Sequence, residues 1–110
     1  MQVKSRVVNK TLYILLSGEL DEYTAQSVRK TLDTLFETQK GFVQVVIDLS
    51  ELGFMDSTGV GVLIGRYKKL RENNKPIFIT NPSRNVERIF KMSGLYEIMP
   101  KIVKLRREYE

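Results

Sequence analysis

The chain alternates between short aliphatic stretches and longer ones with helical spacing. Residues 3–8 and 12–17 have strand character and flank Asn9-Lys10, a pair suited to a tight turn, so they predict a β-hairpin. Ser17-Gly18-Glu19-Leu20-Asp21 then reads as the break after the second strand, with Asp21 placed to cap a following helix. Over residues 22–38, Ala25, Val28, Leu32, Leu35 and Phe36 recur at helical spacing and define one buried stripe. Gly41 closes that unit. Residues 42–49 are nearly continuously apolar and β-branched, the pattern of a central strand covered on both faces.

A loop follows, then a second helix over residues 58–73. Asn73-Asn74-Lys75-Pro76 stops it, and Ile77–Thr80 forms another strand. Asn81-Pro82-Ser83 opens a third helix with Val86, Ile89 and Phe90 inward and Gly94 as its stop. Beyond Tyr96 the pattern predicts a short strand or turn near Ile98 and a basic helix from about Ile102. The order ββαβαβαα predicts an α/β domain over residues 1–110. Its mixed sheet carries helices mainly on one face, with right-handed crossovers between parallel neighbours.

Composition narrows the chemistry. The 110 residues include no cysteine and no histidine, which excludes disulfides, thiolate chemistry, the Ser-His-Asp relay and nearly all transition-metal sites. The longest apolar runs are a few residues, far below the roughly 20 needed to span a bilayer. Met1-Gln2-Val3-Lys4-Ser5 is not a signal-peptide pattern, so a cytoplasmic protein is expected. The net charge of +5 comes from 18 basic and 13 acidic residues, gathered partly around Arg66, Arg84 and Lys101. No aromatic-interleaved basic stripe accompanies it, so the charge is read as solvated helix surface, with no direct nucleic-acid contact expected.

The second helix is the informative segment. Val60, Leu63, Ile64, Tyr67 and Leu70 share one stripe, taken as the core side; Thr58, Gly61, Val62, Gly65 and Lys69 lie opposite. Interior glycines each cost roughly 1 kcal/mol relative to alanine. Close approach of another backbone would account for Gly61 and Gly65, either from a neighbouring helix of the fold or from a partner docking on a groove centred at Val62. The run Gly59-Val60-Gly61-Val62-Leu63-Ile64-Gly65 has the wrong spacing for a phosphate-binding fingerprint.

Ser57 follows Met55-Asp56 where this helix begins. Asp56 or Ser57 caps the helix, and a hydroxyl there is also open to phosphorylation, with Thr58 as its neighbour. If the strand ending at Asp21 lies beside the strand of residues 42–49, then Asp21, Asp56 and Ser57 share one sheet edge. Two carboxylates beside a serine without histidine do not make a catalytic or metal site, and none is assigned.

Gly18-Glu19-Leu20-Asp21, Val46-Ile47-Asp48-Leu49, Phe54-Met55-Asp56-Ser57-Thr58-Gly59 and Met92-Ser93-Gly94-Leu95 together resemble the STAS domain. More narrowly, the chain resembles the bacterial anti-sigma factor antagonists, or anti-anti-sigma factors. The resemblance runs over residues 3–102 and implies a single STAS domain with a four- or five-stranded sheet. It also implies partner switching without a cofactor or enzymatic activity. The unphosphorylated antagonist binds an anti-sigma factor, itself an ATP-using serine kinase, and so frees a sigma factor for transcription. The kinase phosphorylates the serine that matches Ser57, and a PP2C-type phosphatase reverses it. Asp21 and Asp56 match acidic positions implied in kinase or partner recognition; the helix face read above adds Thr58, Gly61, Val62 and Gly65 to the expected partner-binding residues. A monomer or weak dimer, away from membranes, is expected. The alternative is a STAS interaction module of a stress-signalling or lipid-transport complex that phosphorylation does not regulate.

Overall fold

Asn9 and Lys10 both take left-handed backbone, at φ 49° and 67°. A two-residue turn of that kind matches the twist of the strands it joins, and here it folds β1 (Gln2–Val8) onto β2 (Thr11–Leu20) as an antiparallel hairpin. The computed structural model describes residues 1–103.

β2 does not break at Ser17 as the sequence suggests. It continues to Leu20, with register shifts between Leu15 and Ser17 and between Gly18 and Glu19. Gly18 absorbs the irregularity at φ 115°, so the glycine marks a bulge rather than a stop. The third strand differs likewise. β3 (Gln44–Met55) begins after Phe42, which is nonetheless buried, and runs through the residues read as a loop. Leu52 and Met55 are buried while their neighbours are exposed, so the second half of β3 is a half-covered strand that composition alone disguised.

β3 pairs in parallel with β2 on one side and with β4 (Ile77–Thr80) on the other, giving the sheet order β1-β2-β3-β4. Strand alternation sends Leu12, Ile14, Leu16, Val45, Ile47, Leu49, Ile77 and Ile79 into one core cluster. α1 (Ala25–Thr38), α2 (Ser57–Arg71) and α3 (Arg84–Ser93) supply that cluster's other side. The described elements thus follow ββαβαβα, then a short 3-10 turn at Leu95–Glu97. The basic helix expected from Ile102 falls mostly on residues 104–110, outside those described; Ile102 and Val103 are not helical.

α1 buries Ala25, Val28 and Leu32, and packs Leu35 and Phe36 against the core, as its stripe predicts. Its start is later than expected. Asp21 does not cap the helix; its Oδ1 accepts the N–H groups of Tyr23 at 2.9 Å and Thr24 at 3.2 Å, holding a separate turn ahead of Ala25. α3 begins and ends where its punctuation says. Ser83 Oγ accepts from the Val86 N–H, and Gly94 closes the helix at φ 76°.

Beyond α3, Lys101 bridges to Ile79 beside β4 and pairs with Glu87 of α3. That hydrogen bond, outweighing partial desolvation, lowers the Glu87 carboxyl below its usual range. Burial, reinforced by Glu87, pushes the Tyr96 hydroxyl up to about 12. The Tyr96 hydroxyl donates to Glu87, so one carboxylate gathers α3, the 3-10 turn and the following segment. Among the described residues no helix is long and apolar enough to cross a membrane.

Candidate docking site at the start of α2

The end of β2 and the end of β3 reach the same sheet edge, because Leu20 is in register with Met55. The Asp56 N–H donates to Leu20 O at 3.4 Å, which fixes the chain just before α2 against the chain just before Asp21. Asp21, Asp56 and Ser57 therefore stand at one edge, as they would if the two strands were neighbours. Asp56 caps α2: its Oδ1 accepts the Gly59 N–H at 3.1 Å. With that role filled by Asp56, the hydroxyl of the exposed Ser57 makes no hydrogen bond within the described structure. Thr58 is half-buried, so of the two adjacent hydroxyls Ser57 is the more accessible.

Asp21 is itself half-buried and tied down. Its N–H donates to Thr24 Oγ1 at 3.0 Å, and the Thr24 hydroxyl donates to Glu19 O at 2.8 Å. The acidic side of the edge is thus a rigid turn with Glu19 and Glu22 exposed beside it. Among the described residues no cluster of acidic side chains could hold a metal ion.

α2 faces a different way from the one its pattern suggested. The buried residues are Gly59, Val62, Leu63, Arg66 and Leu70, while Val60, Ile64 and Tyr67 are partly covered. Val62, expected at the centre of an open groove, has no exposed surface and contacts the core instead. The tightest glycine is also another one. A Cβ on Gly59 would lie 2.6 Å from Met55 Cγ and 2.7 Å from Leu20 O, so the helix start rests directly on the ends of β2 and β3. Gly61 and Gly65 would place a Cβ in open space, with nothing among the described residues within 4 Å. The Met-Asp-Ser-Thr-Gly spacing carried a signal for Gly59, since a glycine in the first turn after a strand can sit on that strand's own end.

The inward face also holds a charge. Arg66 Nε lies 3.0 Å from Asp33 Oδ1 of α1, and Lys69 Nζ lies 2.9 Å from Asp33 Oδ2, so Lys69 belongs to the α1 junction rather than to an open face. The Arg66 approach is off the N–H direction, so it is a Coulombic contact more than an aligned hydrogen bond.

A feature the sequence did not expose lies on the other side of Ser57. Val60, Ile89, Met92 and Ser93 join it around a shallow concavity of about 250 Å³. A larger cleft of about 410 Å³, between Tyr67, Arg71, Phe78 and Ile98, lies at the opposite end of the parallel strands.

Comparison with known proteins matches residues 2–109 to the family model described as the STAS domain. An anti-sigma F factor antagonist of Paenibacillus polymyxa is 35% identical over 100 residues, covering 91% of this chain and 85% of that protein. An anti-sigma-B factor antagonist of Listeria monocytogenes is 37% identical over 86 residues, covering 78% of this chain and 74% of its own. The unphosphorylated anti-sigma factor antagonist SpoIIAA superposes with a TM-score of 0.75 at 30% identity, covering 92% of this chain and 88% of that one. The phosphorylated form of SpoIIAA, a Bacillus cell fate determinant, superposes with a TM-score of 0.68. A match over nearly the whole length, on this sheet order and with an Asp-Ser pair heading α2, makes the chain a member of the STAS domain family.

Proposed function

We propose that the chain is an anti-sigma factor antagonist whose unphosphorylated form binds an anti-sigma factor with serine kinase activity, releasing a sigma factor for transcription. Phosphorylation of Ser57 switches it off, and a PP2C-type phosphatase switches it on again. It acts as a regulatory binding protein, in the cytoplasm where a sigma factor works. The names of its relatives, antagonists of anti-sigma F and anti-sigma-B factors, support the partner class.

The observation that carries the reading is the state of Ser57: exposed, first in α2, and with its hydroxyl unengaged because Asp56 does the capping. A phosphate there brings about −1.5 to −2 charges at neutral pH. It sits on the positive end of its own helix, so the fold tolerates it. In a complex that covers Ser57, the same charge left unpaired costs about 2–5 kcal/mol. At 1.4 kcal/mol per decade, affinity falls roughly 30- to several-thousand-fold.

The test is titration of the anti-sigma factor from the same organism with wild type, Ser57→Ala and Ser57→Asp. Loss of binding in Ser57→Asp alone is the expected result, and equal affinity for all three sinks the proposal. Incubation with that factor and ATP, followed by intact-mass analysis, separates a phosphorylated antagonist from a STAS module that is never modified.

A further inference from the structure

Six large hydrophobic side chains are exposed among the described residues: Met1, Tyr23, Val43, Phe54, Met92 and Val103. Four of them collect at one end of the molecule. Met1 lies against Gly18, Phe54 is in register with Glu19, Tyr23 follows Asp21, and Met92 shares a concavity with Ser57. Scattered exposed hydrophobics need no explanation, but a gathering around one polar position marks a contact surface.

Met92 is the most telling of these. α3 turns Val86 and Phe90 inward, which leaves Met92 on the outward side with 79% of its surface exposed. It is a flexible apolar side chain next to Val60 and Ile89, able to adapt to whatever enters the concavity. Charge then says what that is. The sole acid of α3, Glu87, is engaged by Lys101 and Tyr96. Arg84 and Arg88 are exposed and form no salt bridge within the described structure, and Lys91 is exposed beside Met92. The α3 flank of Ser57 is therefore cationic, while the other flank carries Glu19, Asp21 and Glu22.

We propose that the docking surface extends from Ser57 across this concavity onto α3, where Met92 receives an apolar side chain of the anti-sigma factor and Arg84, Arg88 and Lys91 face an acidic rim on it. This rests on the function proposed above and adds to it an orientation. A partner with acid toward α3 and base toward Asp21 fits one way round, since the reversed pose sets like charges together on both flanks. A nucleic acid is the poorer occupant, because the apolar concavity separates the cations from Ser57 and the acidic turn repels phosphate.

The experiment measures affinity and association rate for the purified anti-sigma factor with wild type, Ser57→Asp, Met92→Glu, Arg88→Glu and Val43→Glu, each checked for unchanged circular dichroism and melting. All of the substituted side chains are exposed. Met92→Glu should weaken binding roughly tenfold or more. Arg88→Glu should slow association, with the effect shrinking as salt rises. Val43→Glu, remote from Ser57, should bind as wild type. If Ser57→Asp loses binding while Met92→Glu and Arg88→Glu keep wild-type affinity and rate, the α3 surface is overturned and the proposed function stands. If wild type does not bind, the function fails and the extension falls with it. Loss of duplex-DNA binding in Arg88→Glu, with anti-sigma affinity intact, also overturns the proposal.

Discussion

On the inward face of α2 an added methyl group at Gly59 collides with Met55 and with the backbone of Leu20; on the outward face the same methyl at Gly61 or Gly65 meets nothing among the described residues. Both faces belong to one 15-residue helix and both use glycine where alanine would favour the helix by roughly 1 kcal/mol. The inward glycine is explained by the fold. It lets the helix start sit on the strand ends, which is what holds Asp56 and Ser57 at the edge beside Asp21. Among the described residues nothing packs against the outward glycines, so their smoothness is an attribute of the surface α2 presents.

Substituting Gly59 should have the largest effect on this contrast. A carbonyl oxygen in a strand cannot retreat as a flexible side chain can, so Gly59→Ala carries overpacking strain of about 3 kcal/mol, against a helix gain of about 1 kcal/mol. The expected outcome is a net loss of about 2 kcal/mol in urea unfolding. An unchanged midpoint would mean that the helix start slides off the strand ends without cost, and the inward face would lose its special status.

The second test concerns the charge on that inward face. Arg66 is only 8% exposed and leans on Asp33, which keeps 24% of its side chain exposed. Removing the partner of a fully buried charge costs about 3–5 kcal/mol. Because Asp33 is partly solvated, Asp33→Ala should cost less, about 1–2 kcal/mol. Arg66→Leu should be far milder, since it removes the buried charge along with the pair. If the two variants destabilise equally, the pair contributes attraction in its own right and the desolvation argument is wrong.

These contrasts also mark what could be read from the chain. β4 and α3 were legible because each is bounded by strong punctuation: Pro76 before the strand, Ser83 and Gly94 around the helix. The place of Ser57 at the head of α2 was legible for a similar reason, since the capping chemistry of Asp56 is local. The faces of α2 were not. Val60, Val62, Leu63 and Ile64 are all apolar, so the period cannot choose between two stripes one residue apart. What chose was the contact of Gly59 with Leu20, a residue 39 positions earlier, visible only once β2 and β3 were in register. The extension of β3 past Leu49 was hidden similarly, because Ser50-Glu51 and Gly53 look like a loop until Leu52 and Met55 are found buried. The concavity at Ser57 is built from α2 and α3 together, and no local pattern announces it.

The smallest expected effect runs in the opposite direction and tests the outward face by itself. Gly61 is exposed, lies inside the helix, and leaves room for a methyl group. Gly61→Ala should therefore raise stability by about 0.5–1 kcal/mol, through helix propensity and the lost freedom of the unfolded chain. If a partner backbone lies close along this face, the same substitution should weaken binding to the anti-sigma factor even as the isolated domain becomes harder to unfold. Opposite signs in the two measurements would separate a surface kept smooth for contact from one that is merely tolerated. A more stable protein with undiminished affinity would show that Gly61 lies outside the contact, and would confine the docking surface to Ser57, the acidic turn at Asp21 and the α3 flank.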